Sequence, residues 1–491
     1  MKTLAIPFAE WLPDLPPYKN PGATVATNVI PFNQSYKEFP SLSAVSDALG
    51  ARCRGIFSAR DRDGNVYTYA GDATKIYNVA NNVWSNVSLS GNYTLAADDF
   101  WEFAQYLNQA VAVSFTTTTQ AITLGGANFA NLFTSTLKPK ARRAAQVREF
   151  LVLGYTTDSI DGNKPSRVWW SAAGDPADMD PSATTQCDYQ DLPSANGGVQ
   201  RIIGGEFGLV FMRKAIYRMT YDGPPTVFRL DEVMSNRGTV EGNSVIKIGR
   251  IVAFLDEDGF YLTDGTDAIP IGKNKVDATF WAEVDPSYVA RISVAFDPVN
   301  AVIWWAYPAI GNSGVPNRMI GYNLITKRWA KAEVDLEVLF SALTSGYTLD
   351  SLDSLIPNID TTTVSSFDSA LLTGGTPLLS AVDTTHKLGY FTGAALAAVL
   401  ETAEIQPFAG MRTFVCGVRP LVDGTAATTT IQIGTRELQT AANSFGSSIS
   451  LGSNGEAPAR TSARFMRFRT NISGGFDHAQ GVEAYVKSAG R

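Results

Sequence analysis

Lys75-Ile76-Tyr77-Asn78-Val79-Ala80-Asn81-Asn82-Val83-Trp84-Ser85-Asn86-Val87 reads as two short strands folded about an Asn-Asn turn. Asparagine tolerates the left-handed backbone that tight hairpins require, so two of them between apolar and aromatic runs signal a hairpin. The same wording returns later in the chain. Tyr322-Asn323 precedes Trp329 at the spacing that separates Tyr77-Asn78 from Trp84, so Tyr-Asn-x5-Trp occurs twice, each time across a polar turn. A phrase that recurs in this way marks a repeated structural unit. Tyr77, Trp84, Tyr322 and Trp329 are therefore expected to pack between units.

Further units start between the two copies. Apolar runs begin at Ala110, Phe150, Phe207, Ile251 and Ile292, at intervals of 40, 57, 44 and 41 residues. Several are followed, after a turn, by a second aromatic run: 216–221, 260–263 and 302–307. Units of about 40 to 45 residues with three or four short antiparallel strands have the period of a propeller blade. One such meander cannot hide both its faces, whereas radial packing against neighbours buries each face and protects the strand edges. The chain is thus expected to be all-β, with about six propeller blades over residues 51–340. A two-sheet sandwich is the competing β architecture.

The flanks differ in composition. Residues 1–50 carry Pro7, Pro13, Pro16, Pro17, Pro21, Pro31 and Pro40, which predicts an extended Pro-rich arm ordered by whatever it packs on, its own domain or another subunit. From Ala332 through His386 there is no Lys or Arg, and 349–355 has a local Leu-Asp-Ser repeat. Residues 341–404 therefore read as a Ser/Thr-rich acidic insertion or linker. Strand patterning returns at 412–418, 428–434 and 463–470, with Phe414, Ile431, Ile433, Phe465 and Phe468 as core candidates. This C-terminal β region, 405–491, either closes the propeller or stands as a small appended domain.

Composition bounds the chemistry. The 491 residues include 40 Lys and Arg against 47 Asp and Glu, a net charge of -7, which argues against a surface that is wholly a nucleic-acid clamp. The densest apolar runs fall far short of the roughly 20 residues that span a bilayer. Met1 to Pro17 does not read as a signal peptide, because Pro7, Glu10, Pro13 and Asp14 break its apolar run. Cys53, Cys187 and Cys416 are scattered and odd in number, consistent with buried reduced thiols. With only His386 and His478 there is no basis for a histidine-rich metal centre.

Candidate catalytic groupings are weak. Asp61-Arg62-Asp63-Gly64-Asn65 begins like a calcium loop, but Asp72 stands where the closing glutamate belongs, and the flanks read as strands. It reads as a hairpin turn, as do 256–259 and 264–267. No nucleophile elbow or phosphate loop is present, and Gly204-Gly205 and Gly374-Gly375 lack a strand-to-helix setting. No catalytic residue, cofactor site or metal site is assigned. Two basic groups remain, Lys138, Lys140, Arg142 and Arg143, and Arg464, Arg467 and Arg469 with Arg460 beside them. Both are candidates for assembly contacts first and DNA contacts second. In Trp169-Trp170 and Trp304-Trp305, neighbouring strand positions should send one ring to each face of a sheet.

Taken together, the Pro-rich arm, Arg167-Val168-Trp169-Trp170-Ser171 with Asp175-Pro176, Gly259-Phe260-Tyr261-Leu262-Thr263-Asp264-Gly265, Gly417-Val418-Arg419-Pro420 and Arg464-Phe465-Met466-Arg467-Phe468-Arg469 resemble a known family. It is that of the tail hub or nozzle proteins of short-tailed double-stranded DNA bacteriophages, also called packaged-DNA stabilisation proteins. The resemblance covers most of residues 20–490. It implies a structural, non-enzymatic virion protein of the tail, made in the host cytoplasm. Six copies, a homohexamer, would form a ring below the portal-adaptor proteins, each copy with a β-propeller. The ring would retain packaged DNA, give the genome its ejection channel and bind a tail needle, fibre or tip protein. The alternatives are a carbohydrate-binding or glycan-cleaving propeller and a kelch-like interaction scaffold.

Overall fold

The protein is represented by a computed structural model that describes residues 2–18, 20–344, 375 and 377–490. The fold is mostly β. Among the described residues, six antiparallel meanders follow one another at 56–86, 102–131, 140–191, 199–235, 246–270 and 293–332, each of four strands hydrogen-bonded in chain order. All six lie inside the span expected to hold repeated units. A seventh four-stranded sheet joins Val338–Leu343, Pro377–Val382 and Lys387–Ala395 to Pro40–Ala48, which pairs antiparallel with Lys387–Ala395.

The hairpin at the centre of the Tyr77–Trp84 phrase has the expected geometry. Ala80 faces Val83 across a two-residue turn whose asparagines, Asn81 and Asn82, have φ of 49° and 64°. Longer strands are buried on both faces because each sheet is covered by its neighbours. Val152, Leu153, Val210, Phe211, Phe254 and Leu255 are all fully or nearly fully buried, although adjacent residues point to opposite faces.

Apolar clusters join each sheet to the next. Tyr69 and Ile76 of the first meet Trp101 and Phe103 of the second; Val111 and Val113 meet Leu151 and Trp169 of the third. Trp170, directed oppositely, packs with Val210 and Phe228 of the fourth. Leu209 and Phe211 pack with Val252 and Phe254 of the fifth, and a larger cluster carries Leu255 and Phe260 onto Trp305 and Trp329 of the sixth, then to Leu339, Leu379 and Phe391 of the seventh. A further cluster returns the seventh to the first through Phe340, Leu378 and Tyr390 against Ala70 and Trp84. The Trp304-Trp305 pair divides as expected: Trp304 meets Phe39 at 4.9 Å and Trp305 meets Phe260 at 4.8 Å.

The two termini are woven together. Lys2–Pro7, Val29–Phe32 and Ser35–Glu38 join Thr413–Asp423, Ala457–Ala463 and His478–Ser488 in a six-stranded sheet. Val25–Thr27 lies between Trp329–Ala332 and Ala398–Glu401, so the sixth meander continues through it into Phe465–Ser473 and Thr428–Arg436. The N-terminal arm thus takes its order from its own chain, as strands. Arg328 pins it, donating hydrogen bonds to the carbonyls of Phe8, Ala9, Asn33 and Ser35 while its guanidinium lies 4.4 Å over the Tyr36 ring. Asp14 accepts from the backbone N–H groups of Ala278 and Thr279, capping the helix Asp277–Glu283 from a distant part of the chain.

Several expectations change in detail. The boundary at 340/341 falls inside the strand Val338–Leu343, and most of the described residues of the expected linker 341–404 lie in strands. The 349–355 repeat and Gly374 lie outside the described residues. Phe414 is half-exposed, because strand alternation turns Thr413 and Val415 inward in its place, while Ile431, Ile433, Phe465 and Phe468 are buried. The expected strand 463–470 is broken at Arg464. Asp61 serves its own turn, accepting from the backbone and side-chain nitrogens of Asn65 at 2.8 Å.

Candidate functional site

One concavity, about 550 Å³, is lined by residues at or just before the first strand of every one of the seven sheets. Ile56 and Ser58 come from the first sheet, Glu102 and Gln105 from the second, Ala144 and Gln146 from the third, and Arg201 and Ile203 from the fourth. Ile246 and Lys247 belong to the fifth, Ser293 and Val294 to the sixth, and Val338 and Ser341 to the seventh. Gly204, also in this lining, permits a close approach, since a β-carbon there would lie 2.0 Å from the Gln146 carbonyl oxygen. That is a structural use for half of the Gly204-Gly205 pair.

Charge gathers where the first strands begin, at Arg52, Arg54, Asp98, Asp99, Glu102, Arg201, Arg291 and Glu337. Two of the acids are committed. Glu102 receives Arg143 at 2.8 Å and Arg201 at 3.0 Å, and the Ala144 N–H at 3.3 Å. Glu337 accepts the Cys53 N–H at 2.8 Å and lies 2.7 Å from His386 Nδ1. Burial raises the Glu337 carboxyl above its ordinary range, against the opposing pull of the Cys53 N–H and His386. Arg52 is shifted down, first by burial and then by the like charges of Arg291 and Arg54.

The residues singled out from sequence are distributed as follows. Tyr77 and Trp84 lie between the first and seventh sheets. Trp84 donates its indole N–H to Ser46 Oγ at 3.0 Å and its backbone N–H to Asp47, both on Pro40–Ala48, and the Tyr77 hydroxyl donates to Asp72 at 3.1 Å. Tyr322 and Trp329 lie in the large cluster, where the Trp329 indole donates to the Ile271 carbonyl at 3.0 Å. All four are packed between sheets.

The first basic group does not form one surface. Lys138 is exposed, Lys140 donates to the Thr116 carbonyl, and Arg142 lies over the rings of Phe115 and Tyr155 at 4.9 and 4.6 Å. Arg143 is 2% exposed and closed internally by Glu102, Glu241 and Asn243. It is withdrawn as a contact residue, because strand alternation directs it opposite to Arg142 and into the interior. In the C-terminal group Arg467 and Arg469 share a face, and both bind Glu401, at 3.1 and 3.0 Å. Arg436 pairs with Glu404 beside them, and Arg469 also covers Phe445. These two arginines are engaged within the chain, whereas Arg464 stands half-exposed at the strand break.

The cavity arginines and acids escaped sequence reading because they share no motif. They do share a position: Arg54, Arg291 and Glu337 each stand one or two residues before the first strand of a sheet. Aligning the units on those strands, rather than on their apolar runs, would have gathered them. No protein-family model matches the chain, and no curated protein is significantly similar to it. Among the described residues no helix is long and apolar enough to cross a membrane.

Proposed function

We propose that the seven sheets are the blades of a β-propeller and that the chain is a structural subunit of a phage tail hub or nozzle. The observation that carries the architecture is the single cavity lined by the leading edge of all seven sheets, together with the cluster that links the seventh to the first. Completing the last blade with Pro40–Ala48, a strand from the opposite end of the chain, ties the ring of blades shut. On this reading the blade number is seven, and the termini build a β appendage beside the sixth blade.

The hub role rests on the family resemblance of the quoted phrases and on the use made of their residues. Trp169, Trp170 and Phe260 pack between blades, while Arg467, Phe468 and Arg469 hold the appendage. In a homohexamer below the portal-adaptor proteins, outer blade edges and the appendage would supply subunit contacts. Within the two basic groups, Lys138, Arg460 and Arg464 are left free enough for assembly or passing DNA. Distal needle, fibre or tip proteins would attach to the same ring. The test is electron microscopy of the purified chain, alone and with portal-adaptor protein, and of particles that lack it. A symmetric ring with a channel, and particles that leak genome or lose distal tail parts, are expected. A chain that stays monomeric with its adaptor, and whose loss leaves particles intact, would remove the hub reading.

A glycan-directed propeller is the second reading, favoured by aromatic Phe57 and Phe100 beside Asp98 and Asp99 in the cavity. The ion-paired state of Glu102 weighs against its service as an acid or base. Turnover or binding of a defined glycan by the purified chain separates the two readings.

A further inference from the structure

We propose that the Arg52, Arg54 and Arg291 end of the central cavity binds a small, multiply charged oxyanion bearing phosphate or carboxylate groups. The inference stands on the cavity and is independent of the hub reading.

Arg52, Arg54 and Arg291 all line the concavity, and among the described residues no carboxylate closes on any of them at hydrogen-bond distance. Arg54 donates to the carbonyls of Leu95 and Ala96. Arg291 donates to the Gly314 carbonyl at 2.9 Å and lies 4.6 Å over Tyr288; its nearest acid, Asp98, is 4.0 Å away with a side chain 65% exposed. Arg52 makes no ion pair among the described residues; it is partly buried and feels the like charges of Arg291 and Arg54 ahead of the opposing charge of Glu337. Of the acids in the same lining, Glu102 is held by Arg143 and Arg201 and Asp99 by the Thr116 hydroxyl, while Glu337, bonded to the Cys53 N–H and His386, offsets only part of the Arg52 charge from beyond ion-pair distance.

Like charges gathered in a recess repel one another and are costly to desolvate, so a structure that holds them together stores binding energy for an anion. Guanidinium groups meet phosphate and carboxylate oxygens with paired, charge-assisted hydrogen bonds. The volume admits a compact ligand, and a folded polymer is too large for it.

The full-length protein should be titrated calorimetrically with inorganic phosphate and, separately, with citrate, at ionic strength matched with sodium chloride. Binding is expected for at least one, with a rise in Tm on the order of 2 °C at about ten times the dissociation constant. Arg52→Gln and Arg291→Gln should each weaken binding about tenfold or more, while Lys214→Gln, at an exposed site, should not. Arg52→Gln should also raise the ligand-free Tm, because it removes an unpaired charge, and this guards against mistaking misfolding for lost binding. Preference for phosphate or for citrate assigns the ligand chemistry within the class. No binding of either, or affinity unchanged in both arginine variants, overturns the proposal.

Discussion

Tyr322 and Trp329 stand directly opposite each other on paired strands with ring centroids 4.9 Å apart, whereas the identically spaced Tyr77 faces Asn86 and Trp84 faces Val79. One spacing in sequence therefore serves two registers. The Asn81-Asn82 hairpin closes in two residues, while 323–328 forms a longer turn in which Asn323 accepts from the N–H groups of Ile325 and Thr326 and donates to the carbonyls of Pro31 and Asn300. In both copies the phrase spans the third and fourth strands of a four-stranded unit.

The two tryptophans should consequently differ in energetic weight. Trp329 is fully buried against Phe260, Trp305 and Tyr322, so Trp329→Ala should cost about 3–5 kcal/mol in urea denaturation. Trp84→Phe keeps most of the packing and loses the bond to Ser46, for a cost of about 1 kcal/mol. Equal losses in Trp329→Ala and Trp84→Phe would contradict the unequal environments.

Arg328 holds the N-terminal strands to the sixth sheet through four carbonyls, a number that lysine's single ammonium cannot span from one position. Arg328→Lys and Arg328→Ala should both loosen residues 8–36, each losing on the order of 3 kcal/mol. Limited proteolysis should cut that segment first in both variants. Cleavage no faster than in the parent chain would show that the arm is held by its strand pairing alone.

The apolar runs that announced the repeats were legible for a physical reason. At 110, 150, 207 and 251 they mark the second strand of a sheet, which has a strand on each side and a sheet over each face, so its sequence becomes continuously apolar. The run at 292 marks a first strand, and the matching second strand is Val302–Tyr307, so the regular interval there joins unlike strands. The 57-residue interval reflects the excursion between Gly162–Trp170 and Asp188–Asp191 in the third sheet. The seventh sheet was not legible, since its strands come from two distant segments. Proline also disguised the arm: Pro7 ends a strand, Pro40 begins one, and Pro31 sits in an edge strand, positions where a missing N–H is tolerated. The cavity charges gave no local signal, because they are divided among units far apart in sequence, from three in the second to none in the third.

Basic residues close in sequence should separate sharply in effect. Removing Arg143 leaves Glu102 and Glu241 short of a buried partner, so Arg143→Ala should destabilise by about 3–5 kcal/mol. Lys138→Ala, at an exposed site, should fall within about 0.5 kcal/mol of the parent chain. Thermal denaturation of the two variants checks the contrast. A mild Arg143→Ala would mean that water or a neighbouring cation replaces the guanidinium.

Asp277 supplies a pH signature. Its carboxyl is raised to about 7, first by burial and then by Asp14 and Asp258, against the opposing Phe260 N–H bond. A carboxyl whose folded pKa exceeds its unfolded value favours the folded state when protonated, so its contribution is most favourable below about pH 4. That contribution declines as pH rises and levels off above about pH 7. An asparagine side chain in its place would keep an oxygen for the Phe260 N–H without acquiring charge, so Asp277→Asn should be near neutral at pH 4 and stabilising at pH 8. After solvent screening the gain at pH 8 should be on the order of 1 kcal/mol. The quantity to follow is the difference in unfolding free energy between variant and parent across pH 4–8, which cancels the other titrating groups. A difference that stays flat, or one that favours the parent at high pH, would show that Asp277 is already charged and well compensated in the folded protein.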